Sequence, residues 1–133
     1  MSFENQLEQL GLILPNPAKP AGSYKPCLIV DNIAYISGQG PLLEDGSFAK
    51  GVIGKDIDIE TGQKHAQKCG LAILSALKNE IGDLNKVDQL IKITGFVNCT
   101  SDFTQQPLVI NGCSDLMKEI FGDKGVHARA AVG

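Results

Sequence analysis

No run of lysine or arginine occurs anywhere in the chain. Twelve basic side chains are scattered among fifteen acidic ones, for a net charge of −3. Phosphate binding needs concentrated positive charge, so this balance argues against nucleic acid as the main partner. Histidine is scarce as well. His65 and His127 are the only two, and neither has a second ligand at metal spacing, which argues against a metal site. The four cysteines, Cys27, Cys69, Cys99 and Cys113, form no C-x-x-C pair and lie in apolar segments. Free buried thiols of a reducing compartment are the expectation. No apolar run approaches the roughly 20 residues that cross a bilayer, and the acidic, amphipathic N-terminus is not a secretory leader. A cytoplasmic protein with no membrane partner is therefore expected.

The chain has 133 residues, 43% of them hydrophobic and 20% charged. That is an ordinary globular composition. A chain this long buries roughly two thirds of its unfolded surface, enough for a real core. One domain over 1–133 is expected, with an N-terminal arm over about 1–20. Ser2 to Leu10 reads as a short helix capped by Ser2, with Phe3, Leu7 and Leu10 on one side and Gly11 at its end. Pro15, Pro17 and Pro20 then impose an extended passage.

Cys27–Val30 and Ile33–Ser37 read as two strands, and Asp31-Asn32 as the tight turn of a β-hairpin. A weak hairpin or loop follows through Asp45-Gly46 to Gly51. Ile59 to Ile81 is a helix, capped by Asp58 and stopped by Gly82. Its stripe is Ala66, Cys69, Gly70, Ile73, Leu74, Leu77 and Ile81. Val87 to Cys99 reads as a long strand, with Ile91, Ile93, Gly95, Val97 and Cys99 on its apolar face. Gln106 to Phe121 is a second long helix, with Val109, Cys113, Leu116, Met117 and Ile120 as its stripe. Asn111 points away from that stripe, either into solvent or towards a ligand across an interface. Ala128 to Val132 reads as a short buried strand. Two helices over one face of a mixed sheet make an α+β two-layer domain. The other sheet face is left apolar, which predicts an oligomer.

Arg129 stands alone as a cation inside that last strand. A desolvated charge needs a partner. One of the chain's own acids would serve as a structural ion pair. A ligand carboxylate would serve equally, because a planar guanidinium grips a carboxylate in two places.

Four pieces together, Ala21-Gly-Ser-Tyr24, Tyr35-Ile-Ser-Gly-Gln39, Val109-Ile-Asn-Gly112 and Ala128-Arg-Ala-Ala-Val132, resemble the Rid (YjgF) family. These are the reactive-intermediate deaminases, some of whose members are labelled endoribonuclease L-PSP. The resemblance covers the chain from about Gly11 onward. The N-terminal helix and Gly95-Phe-Val-Asn-Cys99 resemble one bacterial subgroup in particular. The resemblance implies a chorismate-mutase-like fold and a homotrimer with clefts between subunits, so residues of two chains meet in each cleft.

By the same resemblance Arg129 is the catalytic clamp on the carboxylate of a small 2-imino or 2-enamino acid. Tyr24, Ser37, Gly38, Asn111 and Ala131 are the other substrate-binding positions. The implied enzyme is a hydrolase like the 2-iminobutanoate/2-iminopropanoate deaminases, releasing a 2-oxo acid and ammonia without metal or cofactor. The family often has cysteine at the position of Ala131. Its active members carry a glutamate in a terminal strand, and this chain ends before such a strand, so a C-terminal segment beyond Gly133 is expected. A non-catalytic carboxylate-binding trimer is the alternative, and an endoribonuclease a more distant one.

Overall fold

The computed structural model describes residues 2–133. Its elements run α1 (Phe3–Gln9), β1 (Cys27–Val30), β2 (Ile33–Ile36), α2 (Ile59–Ile81), β3 (Lys92–Phe96), α3 (Gln106–Phe121) and β4 (Ala128–Val132). Single 3₁₀ turns follow α2 and α3. This is the expected α+β arrangement.

Local chemistry places most boundaries. Asp31 and Asn32 take φ of 50° and 62°, the left-handed pair that a two-residue hairpin turn requires and that Asp and Asn tolerate. The Asp58 carboxylate accepts the Thr61 backbone N–H at the start of α2. Gly82, at φ +85°, closes its end by returning its N–H to Lys78 O.

α2 and α3 pack against each other, and Gly112 is what lets them meet. A Cβ at that position would fall 2.0 Å from the Gln63 carbonyl oxygen on α2. The α3 stripe of Val109, Cys113, Leu116, Met117 and Ile120 is buried throughout. Full burial of a side chain of this size contributes about 1.5–3 kcal/mol.

The strands form two small sheets instead of one continuous mixed sheet. β1 and β2 pair antiparallel, and β3 and β4 pair parallel. Ile93, Gly95 and Val97 face the helices, as the alternation predicts. The Ile110 side chain sits directly on Gly95, where a Cβ would meet it at 2.5 Å.

Two further expectations are corrected. The strand predicted over 87–99 is only Lys92–Phe96. Val87 and Leu90 pack on the core beside the 3₁₀ turn at Leu84–Lys86. Gln89 Nε2 lies within hydrogen-bond distance of the carbonyls of Leu90, Lys124 and Val126, so this stretch is tied to a loop rather than to a ladder. Ile91, expected on the apolar face, is 61% exposed. The second correction concerns β4, which is half-buried rather than buried.

The arm is not loose. Leu7 enters the core, and the Phe3 ring meets Phe121 edge-on at 4.7 Å. Glu4 pairs with Lys78, and Ser75 Oγ, buried on α2, donates to Pro15 O.

Candidate functional site

Arg129 is placed by register. It lies opposite Ile93 in the parallel ladder, so its side chain leaves the sheet on the face that α3 covers. There Nη1 donates to Asn111 Oδ1 at 2.7 Å and to Ser114 Oγ at 3.2 Å. Asn111 and Ser114 are three residues apart on α3 and therefore share one side of it. The ion pair with an internal acid is not what satisfies Arg129. Neither ion pair among the described residues includes it.

Both hydrogens of Nη1 are thus engaged by neutral oxygens of the chain. Nη2 and Nε share the other edge of the guanidinium, and they meet no acceptor among the described residues. No buried side-chain nitrogen or oxygen among those residues lacks a partner, so the free edge faces solvent. It presents two parallel N–H donors, the geometry that binds a carboxylate bidentately.

Behind Arg129 the network continues. Ser114 Oγ lies 2.9 Å from His127 Nε2, and His127 Nδ1 lies 2.6 Å from Gly125 O. Neither Ser114 nor His127 was anticipated from the sequence. The available signals were spacing alone. Ser114 is one helical step from Asn111, and His127 is one strand alternation from Arg129.

Cys113 is buried beneath this group. Desolvation pushes its thiol up to about 12, with the Cys69 thiol adding to the rise and Arg129 opposing it. It offers no thiolate at neutral pH. Cys27 is buried too, while Cys69 and Cys99 are half-buried, and all four are free.

Tyr24, Ser37 and Gly38 gather elsewhere. Tyr24, Lys25, Leu28, Tyr35, Ile36 and Ser37 line a wide-mouthed recess of about 360 Å³ on the hairpin. Tyr24 is 52% exposed, and its hydroxyl accepts the Ala21 N–H. Ser37 Oγ donates to Lys25 O at 2.6 Å. Gly38 follows Ser37 with open space where a Cβ would stand. Ala131 turns its methyl into the cluster of Ile53, Val97, Val109 and Ile110. The structure therefore brings Arg129 and Asn111 together, groups Tyr24, Ser37 and Gly38 separately, and links the two groups by no hydrogen bond among the described residues.

Two helices over short strands, with a half-buried arginine reached from the second helix, define a chorismate-mutase-like α+β protein. The comparisons are specific. The profile described as "YjgF/chorismate mutase-like, putative endoribonuclease" matches residues 4–132, and the chain belongs to that family. It is 38% identical over 128 residues to Protein TCP17 of Trypanosoma cruzi, covering 96% of this chain and 80% of that one. The crystal structure of Atu1372 from Agrobacterium tumefaciens, a protein of unknown function, superposes with a TM-score of 0.89. It is 41% identical, over 99% of this chain and 80% of that one. A "putative endoribonuclease" from Shewanella oneidensis MR-1 superposes with a TM-score of 0.95 at 32% identity, over 99% of this chain and 87% of that one. Among the described residues no helix is long and apolar enough to cross a membrane.

Proposed function

We propose that the protein is an enamine/imine deaminase that hydrolyses small 2-imino acids to 2-oxo acids and ammonia. The observation that carries this reading is the open Nη2–Nε edge of Arg129, with Nη1 already held by Asn111 and Ser114. A carboxylate on that edge fixes the substrate at one end. Water adds to the C=N carbon, the nitrogen takes protons and leaves as ammonia, and the oxo acid remains. Holding the imine against an ordered water needs no metal or cofactor.

Tyr24, Ser37 and Gly38 act from a neighbouring subunit of a homotrimer, which accords with their separation from Arg129 within one chain. Leu28, Val30, Ile33, Tyr35, Phe96 and Val132 leave exposed apolar surface on the two sheets for that assembly to cover.

The test generates 2-iminobutanoate in situ with an amino-acid oxidase and traps it with semicarbazide. Purified protein should divert the imine to 2-oxobutanoate. Arg129→Ala should lower kcat/KM about a hundredfold, or about 2.7 kcal/mol, a size suited to charged hydrogen bonds. An Arg129→Ala protein with full activity would end the reading.

One observation favours a second reading, a trimer that binds carboxylates without catalysis. Both ring nitrogens of His127 are engaged within the chain, and among the described residues the hydrogen-bond partners of Arg129 are the neutral Asn111 and Ser114, with no acid paired to it. Binding of 2-oxobutanoate with no diversion of the imine selects it. The family description and the Shewanella relative both carry the word endoribonuclease. The net charge of −3 weighs against that activity in this chain. Tight, salt-sensitive RNA binding would restore it.

A further inference from the structure

We propose that Ser114 and His127 are positioning residues, a relay that holds the Arg129 guanidinium in one orientation for a carboxylate. This rests on the reading of Arg129 as the carboxylate clamp.

The direction of the relay follows from its far end. The Gly125 carbonyl only accepts, so His127 Nδ1, at 2.6 Å, carries the hydrogen. In the neutral ring Nε2 is then bare and accepts. Ser114 O–H, at 2.9 Å, donates to it. The lone pairs of the serine oxygen are left for Arg129 Nη1, at 3.2 Å. Every hydroxyl and ring hydrogen in the series Arg129, Ser114, His127, Gly125 has one consistent place.

A second anchor is what gives this mechanical meaning. With Asn111 alone, the guanidinium could pivot about a single hydrogen bond. With Ser114 added, both hydrogens of Nη1 are fixed, and so is the plane of the group. The Nη2–Nε edge is then aimed before a ligand arrives. An arginine ordered in advance loses less freedom on binding, which strengthens the complex without any new contact.

Ser114 is a suitable place to test this because alanine is the better helix former at an interior helical position. A Ser114→Ala protein is expected to fold, and a functional loss is then not a folding loss. His127→Phe keeps an aromatic side chain but replaces the imidazole and so removes both nitrogens.

The experiment titrates 2-oxobutanoate into wild-type protein, Ser114→Ala, Ser114→Thr, His127→Phe and Arg129→Ala. In parallel, ¹⁵N NMR reads rotation of the Arg129 guanidinium and the tautomer of His127. Ser114→Ala and His127→Phe should each weaken binding about five- to tenfold, the cost of ordering one long side chain as the ligand binds. Ser114→Thr, which keeps the hydroxyl, should recover most of it. The Arg129 Nη signals should show hindered rotation in the wild type and faster rotation in both disrupting variants. His127 should carry its hydrogen on Nδ1. In the imine assay KM should rise more than kcat falls.

If Arg129→Ala loses binding while Ser114→Ala and His127→Phe bind like wild type, the relay is refuted and the clamp stands. If Arg129→Ala itself binds 2-oxobutanoate like wild type, the clamp fails and takes the relay with it. Freely rotating Arg129 in the wild-type protein, or a ring protonated at Nε2 alone, overturns the relay whatever the ligand results.

Discussion

Arg129 and Asn111 make a contact whose charge balance is the point. A neutral oxygen holds Nη1 at 2.7 Å, so the guanidinium keeps its full positive charge for a ligand. Asn111→Asp changes that with a change of one atom. The new carboxylate would pair with Arg129 and compete with any incoming acid. Binding of 2-oxobutanoate should weaken about tenfold or more, since the new carboxylate forms an ion pair with the guanidinium and partly neutralises the charge an incoming acid needs, while thermal stability is held or raised. Calorimetry with both acid and unfolding readouts checks this, and undiminished binding would count against the clamp.

A second prediction at this scale concerns the thiols. Burial pushes Cys69 up to about 11 and Cys113 up to about 12, from an ordinary value of 9.0. The folded chain therefore holds these protons more tightly than the unfolded chain does. Their contribution is complete below the unfolded value and is lost as pH rises from 9.0 through about 11 for Cys69 and about 12 for Cys113. Each thiol adds a slope of up to about 1.4 kcal/mol per pH unit in that window. Urea unfolding of Cys113→Ala should show a flatter fall with pH than wild type.

At the scale of elements, two sites carry the helices. Gly112 sits where α3 presses on the backbone of α2, and a methyl there would strike the Gln63 carbonyl, not a mobile side-chain tip. Gly112→Ala should cost about 3 kcal/mol or more, the upper range for overpacking. Its urea midpoint should drop sharply. The Asp58 cap is different in kind. Its carboxyl is held below the ordinary range by hydrogen bonds from Thr61. That contribution is present above the unfolded pKa and is lost as pH falls through the folded one. Asp58→Asn should keep the cap and remove this acid sensitivity, while Asp58→Ala should lower Tm. A Tm unchanged in Asp58→Ala would show that tertiary packing alone maintains the start of α2.

For the whole molecule, the proposal is a trimer closed over the sheet faces. Phe96 is 78% exposed in the single chain, and Val132 lies opposite it in the ladder. Light scattering should give three times the 14.1 kDa chain mass. Phe96→Lys should shift the protein towards monomer and abolish imine hydrolysis, because Tyr24 and Arg129 would no longer meet. A native protein that runs as a monomer, or an active monomeric Phe96→Lys variant, would contradict the shared cleft.

The bounds of α2 and α3 and the hairpin turn were legible in the sequence, because each is written in local chemistry. Asp58 and Gly82 bracket one helix, Pro107 opens the other, and Asp31-Asn32 makes the turn. Those signals act within a few residues and need no partner. The Val87–Cys99 stretch misled for the complementary reason. Its alternation matches a strand, but Gln89 and Leu90 find their hydrogen bonds at Lys124 and Val126, more than thirty residues away.

The functional group divides along the same line. Arg129 was visible as a lone cation in an apolar strand, and its need for a partner follows from desolvation alone. Which partner it took was decided only in three dimensions. The register of β4 on β3 and the approach of α3 over both bring Asn111, Ser114 and His127 to one guanidinium. Periodicity tells which face a residue occupies. It does not tell what that face will meet, because the meeting depends on contacts between segments that local sequence does not encode.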